Sequence, residues 1–355
     1  MRKSVTLLDV AKAARVSKTT AANAFNNPER VRAELRARVE AAARELHYAG
    51  PDPKGRMLSS GKVNAVGVVS FGEFGISLFF THAYPRDFLA GVAKVCEVRG
   101  VGVSLVSSRA DQREWGIQNA LVDGFILGGV EQIEWLAQAK QRRLPFVVVD
   151  FDGTPDIASL TVDNRGGMRE ATRHLIALGH RRFAITRVLR SLRPPIFHPP
   201  SKTPRKMVAG FTAHDARIVG IADALAEVGL SINDMPIVET CGTPEEERAF
   251  GSGVGMLLDK APEATAIIAL SDGLALSIME QAKKRGINIP RDLSIVGFDD
   301  IADAALSDPP LTTVHQSAFE NGQMAATLLL DGGPPRQLVL PVKLLVRGST
   351  APPRS

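Results

Sequence analysis

The sequence predicts an all-α helix-turn-helix head joined by a hinge to an α/β core of two doubly wound parallel-sheet lobes. The first observation is a change of hydrophobic period. Apolar residues recur at helical spacing up to residue 48, and strand patterns alternate with helix patterns from residue 63 onward. The second observation is the stretch 49–62 between them, which is rich in Gly, Pro and Ser and indicates a hinge or linker.

The third observation is the charge of the head. Residues 1–62 carry 13 Lys and Arg against 6 Asp and Glu, a net charge of +7. The whole chain is +5, so residues 63–355 sum to −2. A cationic end on a nearly neutral body is typical of proteins that hold a polyanion at one end.

The composition bounds the class of protein. A chain of 355 residues, 45% hydrophobic and 23% charged, can form two or three domains with ordinary cores. No apolar run approaches the roughly 18 residues of a membrane span, and no apolar signal segment follows MRKSV. Cys96 and Cys241 lie far apart and match no metal-ligand spacing, so we expect reduced cysteines in a cytoplasmic protein without a membrane partner.

The head is predicted to contain three helices, at residues 7–14, 18–25 and 32–48. Thr6 can cap the first helix and Ser17 the second. The core of the head is predicted to consist of Val5, Val10, Ala13, Val16, Ala21, Phe25, Val39 and Leu46. The alternative is that these helices begin a larger globular domain. The charge asymmetry and the linker that follows favour a separate domain at residues 1–48.

The pattern of the core predicts two lobes. Apolar strands of four to eight residues alternate with amphipathic helices, which indicates parallel sheets covered on both faces. Two such sets predict a first lobe of residues 63–162 and 316–345 and a second lobe of residues 163–315, with a cleft between them. A Pro- and Arg/Lys-rich segment near residues 188–209 interrupts the second set, and it is interpreted as a lid, a partner-binding loop or solvated disorder.

With this order of head, hinge and two lobes, the chain resembles the LacI/GalR family of bacterial transcription repressors. Four stretches carry the resemblance: the head at 5–48, the hinge ending in GRML, LTVDNRGG through RRFAIT, and ATAIIALSDG through GFDD to PPLTTVHQ. The resemblance implies a homodimer on a pseudo-palindromic operator and a core like that of periplasmic sugar-binding proteins, in which a small effector binds the cleft. It implies no cofactor.

The resemblance and the helix positions together imply a set of DNA contacts. Base edges would be contacted by Lys18, Thr19 and Asn23, phosphates by Thr6, Thr20 and Asn26, the DNA backbone by Arg56, and the central base step by a wedge from Leu58. The alternative for Leu58 is a linker residue packed on the core. The family usually has Gly where this chain has Arg15, so the turn is either strained or differently shaped.

The effector contacts are predicted at the edges of the lobes: Phe71, Arg217, Ser271, Asp272, Asp299 and Gln316. Arg217 offers a planar fork of donors, and Asp299 follows an apolar strand, where ligands of α/β sheets bind. The alternatives are a surface salt bridge for Arg217, a helix cap for Asp299, and core packing for Phe71, Phe74 and Phe79.

The sequence shows no phosphate loop, catalytic constellation or metal site. His174, His180 and His315 are too scattered for a metal site and are interpreted as surface or capping residues. We therefore expect an effector-controlled DNA-binding regulator, most often a repressor in such a family, rather than an enzyme. The alternatives are a solute- or sugar-binding protein of a transport system and an enzyme such as a sugar kinase.

Overall fold

The computed structural model describes residues 5–52, 55, 57, 61–71, 75–107, 113–128, 133–151, 154–189, 193–202, 212–241 and 244–354. The chain divides into two compact units, Met1–Val63 and Asn64–Ser355, which we call the head and the core. Within these ranges no helix is both long and apolar enough to cross a membrane.

The head contains three helices: α1 (Leu7–Ala13), α2 (Lys18–Asn26) and α3 (Ala33–Glu45), with a 3-10 turn at Pro28–Arg30. Thr6 precedes α1, and both its backbone N–H and its hydroxyl donate to Asp9. Ser17 caps α2 by accepting from the Thr20 N–H at 3.0 Å. The predicted helices and the two predicted cap positions are therefore present in the head.

Small side chains dominate the core of the head. Its buried members are Val10, Ala11, Ala14, Ala21, Ala24, Val39, Ala42 and Ala43, with Val16, Phe25 and Leu46 partly buried against them. The prediction that Val5 and Ala13 belong to this core is wrong, because Val5 is 37% exposed and Ala13 faces solvent. Ala11 and Ala14, which are close to Ala13 in the chain, are buried instead, and their small side chains let the three helices approach closely.

The first lobe of the core is built on a six-stranded parallel sheet of order β12-β5-β4-β3-β1-β2. Its strands are β1 (Ala65–Val69), β2 (Gly102–Val106), β3 (Gly124–Gly128), β4 (Phe146–Val149), β5 (Ala158–Val162) and β12 (Gln337–Leu340). Its helices are α4 (Leu78–Thr81), α5 (Ala83–Arg99), α6 (Arg113–Asn119), α7 (Ile133–Gln141) and α14 (Ala318–Asp331).

The second lobe is built on a seven-stranded sheet of order β13-β11-β10-β9-β6-β8-β7. Its strands are β6 (Phe183–Val188), β7 (Ile196–His198), β8 (Ile237–Thr240), β9 (Ala266–Ala269), β10 (Ser294–Asp299), β11 (Thr312–His315) and β13 (Lys343–Leu345). Its helices are α8 (Asn164–Ala177), α9 (Ala213–Ala226), α10 (Pro244–Phe250), α11 (Gly253–Lys260), α12 (Asp272–Lys284) and α13 (Ala302–Leu306), with a 3-10 turn at Ile232–Asp234.

Both edge strands of the second sheet depart from the predictions. β13 pairs antiparallel with β11, so the prediction that residues 316–345 lie together in the first lobe is wrong for β13. β7 pairs antiparallel with β8, so the Pro-rich segment is not wholly structureless. Phe197 of β7 lies under the Lys260 ammonium, 4.8 Å from ring centroid to Nζ. Residues 196–198 of the segment are an added edge strand. Residues 190–192 and 203–209 lie outside the described residues, and there the lid, the partner-binding loop and solvated disorder stay predictions.

Each lobe contains a pair of helices in unusually close contact at glycine. In the first lobe, a Cβ on Gly91 would lie 2.0 Å from the Phe319 carbonyl oxygen, and one on Gly322 would lie 2.0 Å from that of Phe88. In the second lobe, a Cβ on Gly220 would lie 2.2 Å from the Arg165 carbonyl oxygen. The backbones of α5 and α14, and of α8 and α9, therefore touch where only glycine fits.

Candidate functional sites

The turn between α1 and α2 has a left-handed residue at Arg15, with φ of +52°. The Arg15 N–H donates to the Lys12 carbonyl and the Val16 N–H to the Ala11 carbonyl, so the C-terminus of α1 is closed by two backbone hydrogen bonds. Arg38 of α3 donates to the Ala14 carbonyl at 2.6 Å. Of the two possibilities for Arg15, the structure has the strained turn rather than a differently shaped one.

The first turn of α2 presents polar side chains to solvent. Lys18 and Thr19 are exposed there, and Asn23 is half-buried one turn further along the helix. Asn26, the last residue of α2, is also exposed. The Asn27 amide donates to the Asn23 Oδ1 at 3.4 Å. An exposed helix N-terminus with a lysine and hydroxyls can approach a polyanion without rearrangement of the head.

Two of the residues predicted to contact phosphates also make hydrogen bonds within the head. The Thr20 hydroxyl lies 2.9 Å from that of Ser17, within the cap of α2, and the Thr6 hydroxyl donates to Asp9 at 2.7 Å. The hinge residues Arg56 and Leu58 lie outside the described residues.

A cavity of about 220 Å³ lies at the carboxyl ends of the strands of both lobes, and we call it the cleft. Five of the six predicted effector residues line it: Phe71, Arg217, Ser271, Asp299 and Gln316. They come from both lobes and from the connection between β11 and α14. The rule that ligands bind beyond the carboxyl ends of parallel strands therefore places these side chains around one space.

Arg217 is buried at the floor of the cleft, with 3% of its surface exposed. Its Nε donates to the Asn164 Oδ1 at 2.8 Å and its Nη1 to the Leu270 carbonyl at 2.6 Å. Its Nη2 donates to the Asp299 Oδ1 at 3.3 Å, and its guanidinium lies 3.6 Å from the centroid of the Phe298 ring. These contacts use three of its five N–H donors, so it is not a surface salt-bridge residue and two donors remain for a ligand.

Asp299 is held in place by two donors and by its backbone. Its Oδ1 accepts from the Gln316 amide at 2.7 Å and from Arg217. Burial raises the pKa of its carboxyl, an effect that the Arg217 charge and the Gln316 hydrogen bond oppose. Its φ is +118°, a strained value for a non-glycine residue, and strain of this kind collects at ligand sites. The helix-cap alternative does not apply, because Ile301 occupies the cap position of α13.

Asp272 does not line the cleft, and the prediction of an effector contact there is not supported. Its Oδ1 accepts from the Thr313 hydroxyl at 2.5 Å and its Oδ2 from the Ile301 N–H at 3.0 Å. The residue is fully buried, and desolvation together with the nearby Asp299 charge raises the pKa of its carboxyl. Asp272 therefore braces the loop after β10. Ser271 caps α12 by accepting from the Leu274 N–H at 3.4 Å while still lining the cleft.

Phe71 both packs in the first lobe and lines the cleft. Its ring makes edge-on contacts with those of Phe79, Tyr84 and Phe88, at centroid distances of 6.2, 6.2 and 5.4 Å. Phe79 is fully buried and belongs to the hydrophobic core. Phe74 lies outside the described residues. Phe71, unlike Phe79, is thus placed to present a ring to a ligand.

The cleft also contains residues that sequence reasoning missed: Tyr84, Asp150, His214 and Cys241. Asp150 had a detectable signal, since it follows the apolar strand β4 as Asp299 ends β10, and its φ of +59° is likewise left-handed. Cys241 had the same signal, because it follows strand β8 directly. Tyr84 and His214 had none, because nothing in their local pattern separates a cleft residue from a core residue.

His180 also corrects the interpretation of the histidines as surface or capping residues. It is 1% exposed, and its ring bonds to Thr265 at 2.8 Å and to Ser294 and the Ala351 carbonyl at 3.1 and 2.9 Å. Burial lowers its pKa. In the described part of the chain, no group of His, Cys, Asp and Glu could hold a metal ion.

Comparison with known proteins identifies the family. The family model described as "Bacterial regulatory proteins, lacI family" matches residues 6–50, and that described as "Periplasmic binding protein-like domain" matches residues 172–350. An HTH-type transcriptional regulator of Mycobacterium tuberculosis is 35% identical over 365 residues, covering 99% of this chain and 98% of the relative. The chain belongs to the lacI family. It is a DNA-binding transcriptional regulator with an effector domain of the sugar-binding type, and it is not an enzyme.

Other lacI-family relatives cover almost the whole chain. The HTH-type transcriptional repressor CytR of Escherichia coli is 29% identical over 98% of this chain and 96% of its own length. Among solved structures, the lac repressor dimer bound to operator and the anti-inducer ONPF has a TM-score of 0.75 at 25% identity, covering 98% of this chain and all of the other. The transcriptional regulator CelR in complex with cellobiose has a TM-score of 0.67 at 25% identity, covering 97% and 99%.

Proposed function

We propose that this lacI-family regulator is a homodimeric repressor that binds a pseudo-palindromic operator and is controlled by a small metabolite in the cleft. The observation that carries the proposal is the pairing of an exposed, polar α2 in a cationic head with a ligand-sized cleft in the core. Such a protein acts where DNA lies, in the cytoplasm. A transport solute-binding protein would share the core but has no use for the head at residues 6–50.

The proposed base contacts follow from the positions of three polar residues on α2. Lys18, Thr19 and Asn23 would meet base edges in the major groove, where lysine pairs with guanine acceptors and asparagine with adenine. Thr6, Thr20 and Asn26 would meet phosphates. Arg56 and Leu58 would act in the hinge, with the leucine opening the central base step. The lac repressor dimer bound to operator supports this arrangement by its likeness over the whole chain.

The cleft favours a neutral, hydroxyl-rich effector such as a sugar or a related metabolite. Arg217 is already paired with Asp299, and Asp150 adds a second carboxylate to the lining. A phosphate or carboxylate on the ligand would therefore meet two acids, and burial makes that repulsion strong. The solved structures of relatives contain cellobiose in one case and ribose in another.

DNA binding tests the first part of the proposal. Full-length protein would be used to select sites from a random duplex library, and mobility shifts on the selected site would then be measured across a salt series. Lys18→Ala should cost about 1–3 kcal/mol and relax specificity at one position. Asn26→Ala should weaken binding to all DNA sequences alike, and Leu58→Ala should weaken binding to the selected site most. Selection of no common sequence would contradict the proposal.

Ligand binding tests the second part. A thermal-shift panel would compare neutral mono- and disaccharides and nucleosides with their phosphates, each on wild-type protein and on Arg217→Met. We expect stabilisation by a neutral member and none by its phosphate, with the response lost in the variant. Stabilisation by the phosphate alone would contradict the charge argument.

A further inference from the structure

The Tyr84 hydroxyl lies at the cleft between the two lobes, and its own surroundings orient it. The phenol belongs to α5 of the first lobe, lines the cleft and accepts a hydrogen bond from the Asn321 amide at 3.3 Å. Burial and the charges of Asp150 and Asp299 raise its pKa well above the ordinary value, so the hydroxyl keeps its proton. A phenol that accepts one bond and keeps its proton has that proton left for another acceptor.

Asn321 makes this bond without lining the cleft. It belongs to α14, is 4% exposed, and its Nδ2 donates to two acceptors. One is the Tyr84 hydroxyl and the other is the Gln316 Oε1, at 3.2 Å. Both amide hydrogens of Asn321 are thereby used, and the acceptors lie in different segments of the chain.

The bond to Gln316 sets the direction of the next one. Because the Gln316 carbonyl oxygen faces Asn321, its amide nitrogen faces Asp299, to which it donates at 2.7 Å. A reversed amide would place two oxygens against each other and lose both bonds. The chain of hydrogen bonds thus runs from Tyr84 in the first lobe, through the connection after β11, to Asp299 in the second.

We propose that Asn321 is a positioning residue, which fixes the Tyr84 hydroxyl and the Gln316 amide and so connects the ligand-facing groups of the two lobes. The inference rests on the proposed function only in taking the cleft as the effector site. Its mechanism is the orientation of neighbouring groups, since Asn321 itself does not reach the cavity. A leucine at this position would keep the branched shape with the same number of heavy atoms, in a somewhat larger side chain, and abolish both bonds.

The two tyrosines of the chain allow a direct test without effector or DNA. Full-length Tyr48→Phe protein carrying 3-fluorotyrosine would contain one fluorine environment, that of Tyr84. Asn321→Leu and Gln316→Met should each shift its ¹⁹F resonance by more than the linewidth. In the double variant, the shift caused by Gln316→Met should vanish, because the connection to Tyr84 has already been broken.

A control and a second variant keep the test decisive. Thr327→Val removes a hydrogen bond to the Gln323 carbonyl within the same helix and should leave the resonance in place. If Asn321→Leu does not fold, Asn321→Asp has the same size; its ionised carboxylate donates neither bond and its protonated carboxyl donates at most one, so the pair of bonds is lost in either form. Additive shifts in the double variant, or an unmoved resonance in the Asn321 variants, would overturn the positioning role while leaving DNA binding and effector response untouched.

Discussion

Replacing Arg15 by glycine should stabilise the head. Arg15 has φ of +52°, in the left-handed region, and its side chain makes no hydrogen bond or ion pair with the described residues. Left-handed backbone costs a non-glycine residue about 1–2 kcal/mol. The greater conformational freedom of glycine in the unfolded chain offsets about 0.4–1 kcal/mol of that stabilisation. The net gain should be about 0–1.6 kcal/mol with a centre at ~0.8 kcal/mol, and that central value corresponds to roughly 3–6 °C in melting temperature for a unit of this size.

The assay is thermal and urea unfolding of the head as a fragment, residues 1–63, followed by far-ultraviolet circular dichroism. Lys12→Gly is the matched control, because it also replaces an exposed cation by glycine and removes the same charge. Lys12 lies in α1 with helical backbone, so this change should cost about 1 kcal/mol. The two variants should therefore move in opposite directions from the wild type.

The direction in which Arg15→Gly changes the stability of the head tests whether the turn is strained. If Arg15→Gly were destabilised as much as Lys12→Gly, the turn would not hold a left-handed residue in solution. Arg15→Asn separates strain from flexibility, since asparagine tolerates the left-handed region without the entropy of glycine. It should match or exceed the glycine variant. If the stability of Arg15→Asn fell between those of Arg15→Gly and Lys12→Gly, the argument from strain would be refuted.

Three further predictions concern the core. Gly91→Ala should destabilise by about 1–3 kcal/mol in urea unfolding, because its Cβ would meet the Phe319 carbonyl, whereas Gly273→Ala, which meets nothing, should not. Arg217→Met should cost about 3–5 kcal/mol, since it leaves a buried carboxylate without its cation, and an unchanged urea midpoint would contradict this. Burial lowers the pKa of His180, so the unfolded protein takes up a proton at this residue at a higher pH than the folded protein does. The stability of the wild type should therefore decrease as the pH drops below about 6.5, and His180→Gln should flatten that slope in melts across pH.

The helices of the head were predictable because their signals are local. Ser17 and Thr6 mark helix starts through hydrogen bonds within one turn, whereas the sequence left open whether the turn at Arg15 is strained or differently shaped. The core of the head was less predictable. Val5 and Ala13 fit a helical stripe, but which neighbours face inward depends on helix crossing, and the close approach of α1, α2 and α3 selects alanines.

The cleft was predictable to the extent that chain direction determines it. Strand ends position Asp299, and the same rule reaches Asp150, which follows β4. Asp272 also follows a strand, but its side chain turns toward Thr313, a contact 41 residues away in sequence. The pairing of β13 with β11 was equally inaccessible, because a three-residue strand has too little pattern to specify its partner.

The glycine contacts and the network at Asn321 together locate where the core can respond to a ligand. The helix pair at Gly91 and that at Gly220 bring backbones into contact, so neither pair can slide without a steric clash, and each lobe should move as one body. Relative motion is then confined to the connections between lobes. Gln316 lies in one of these and Asn164 begins α8 after another, and both bond to the Arg217–Asp299 pair. A ligand that binds to Arg217 and Asp299 therefore acts directly on the side chains of Gln316 and Asn164, which lie at the two connections.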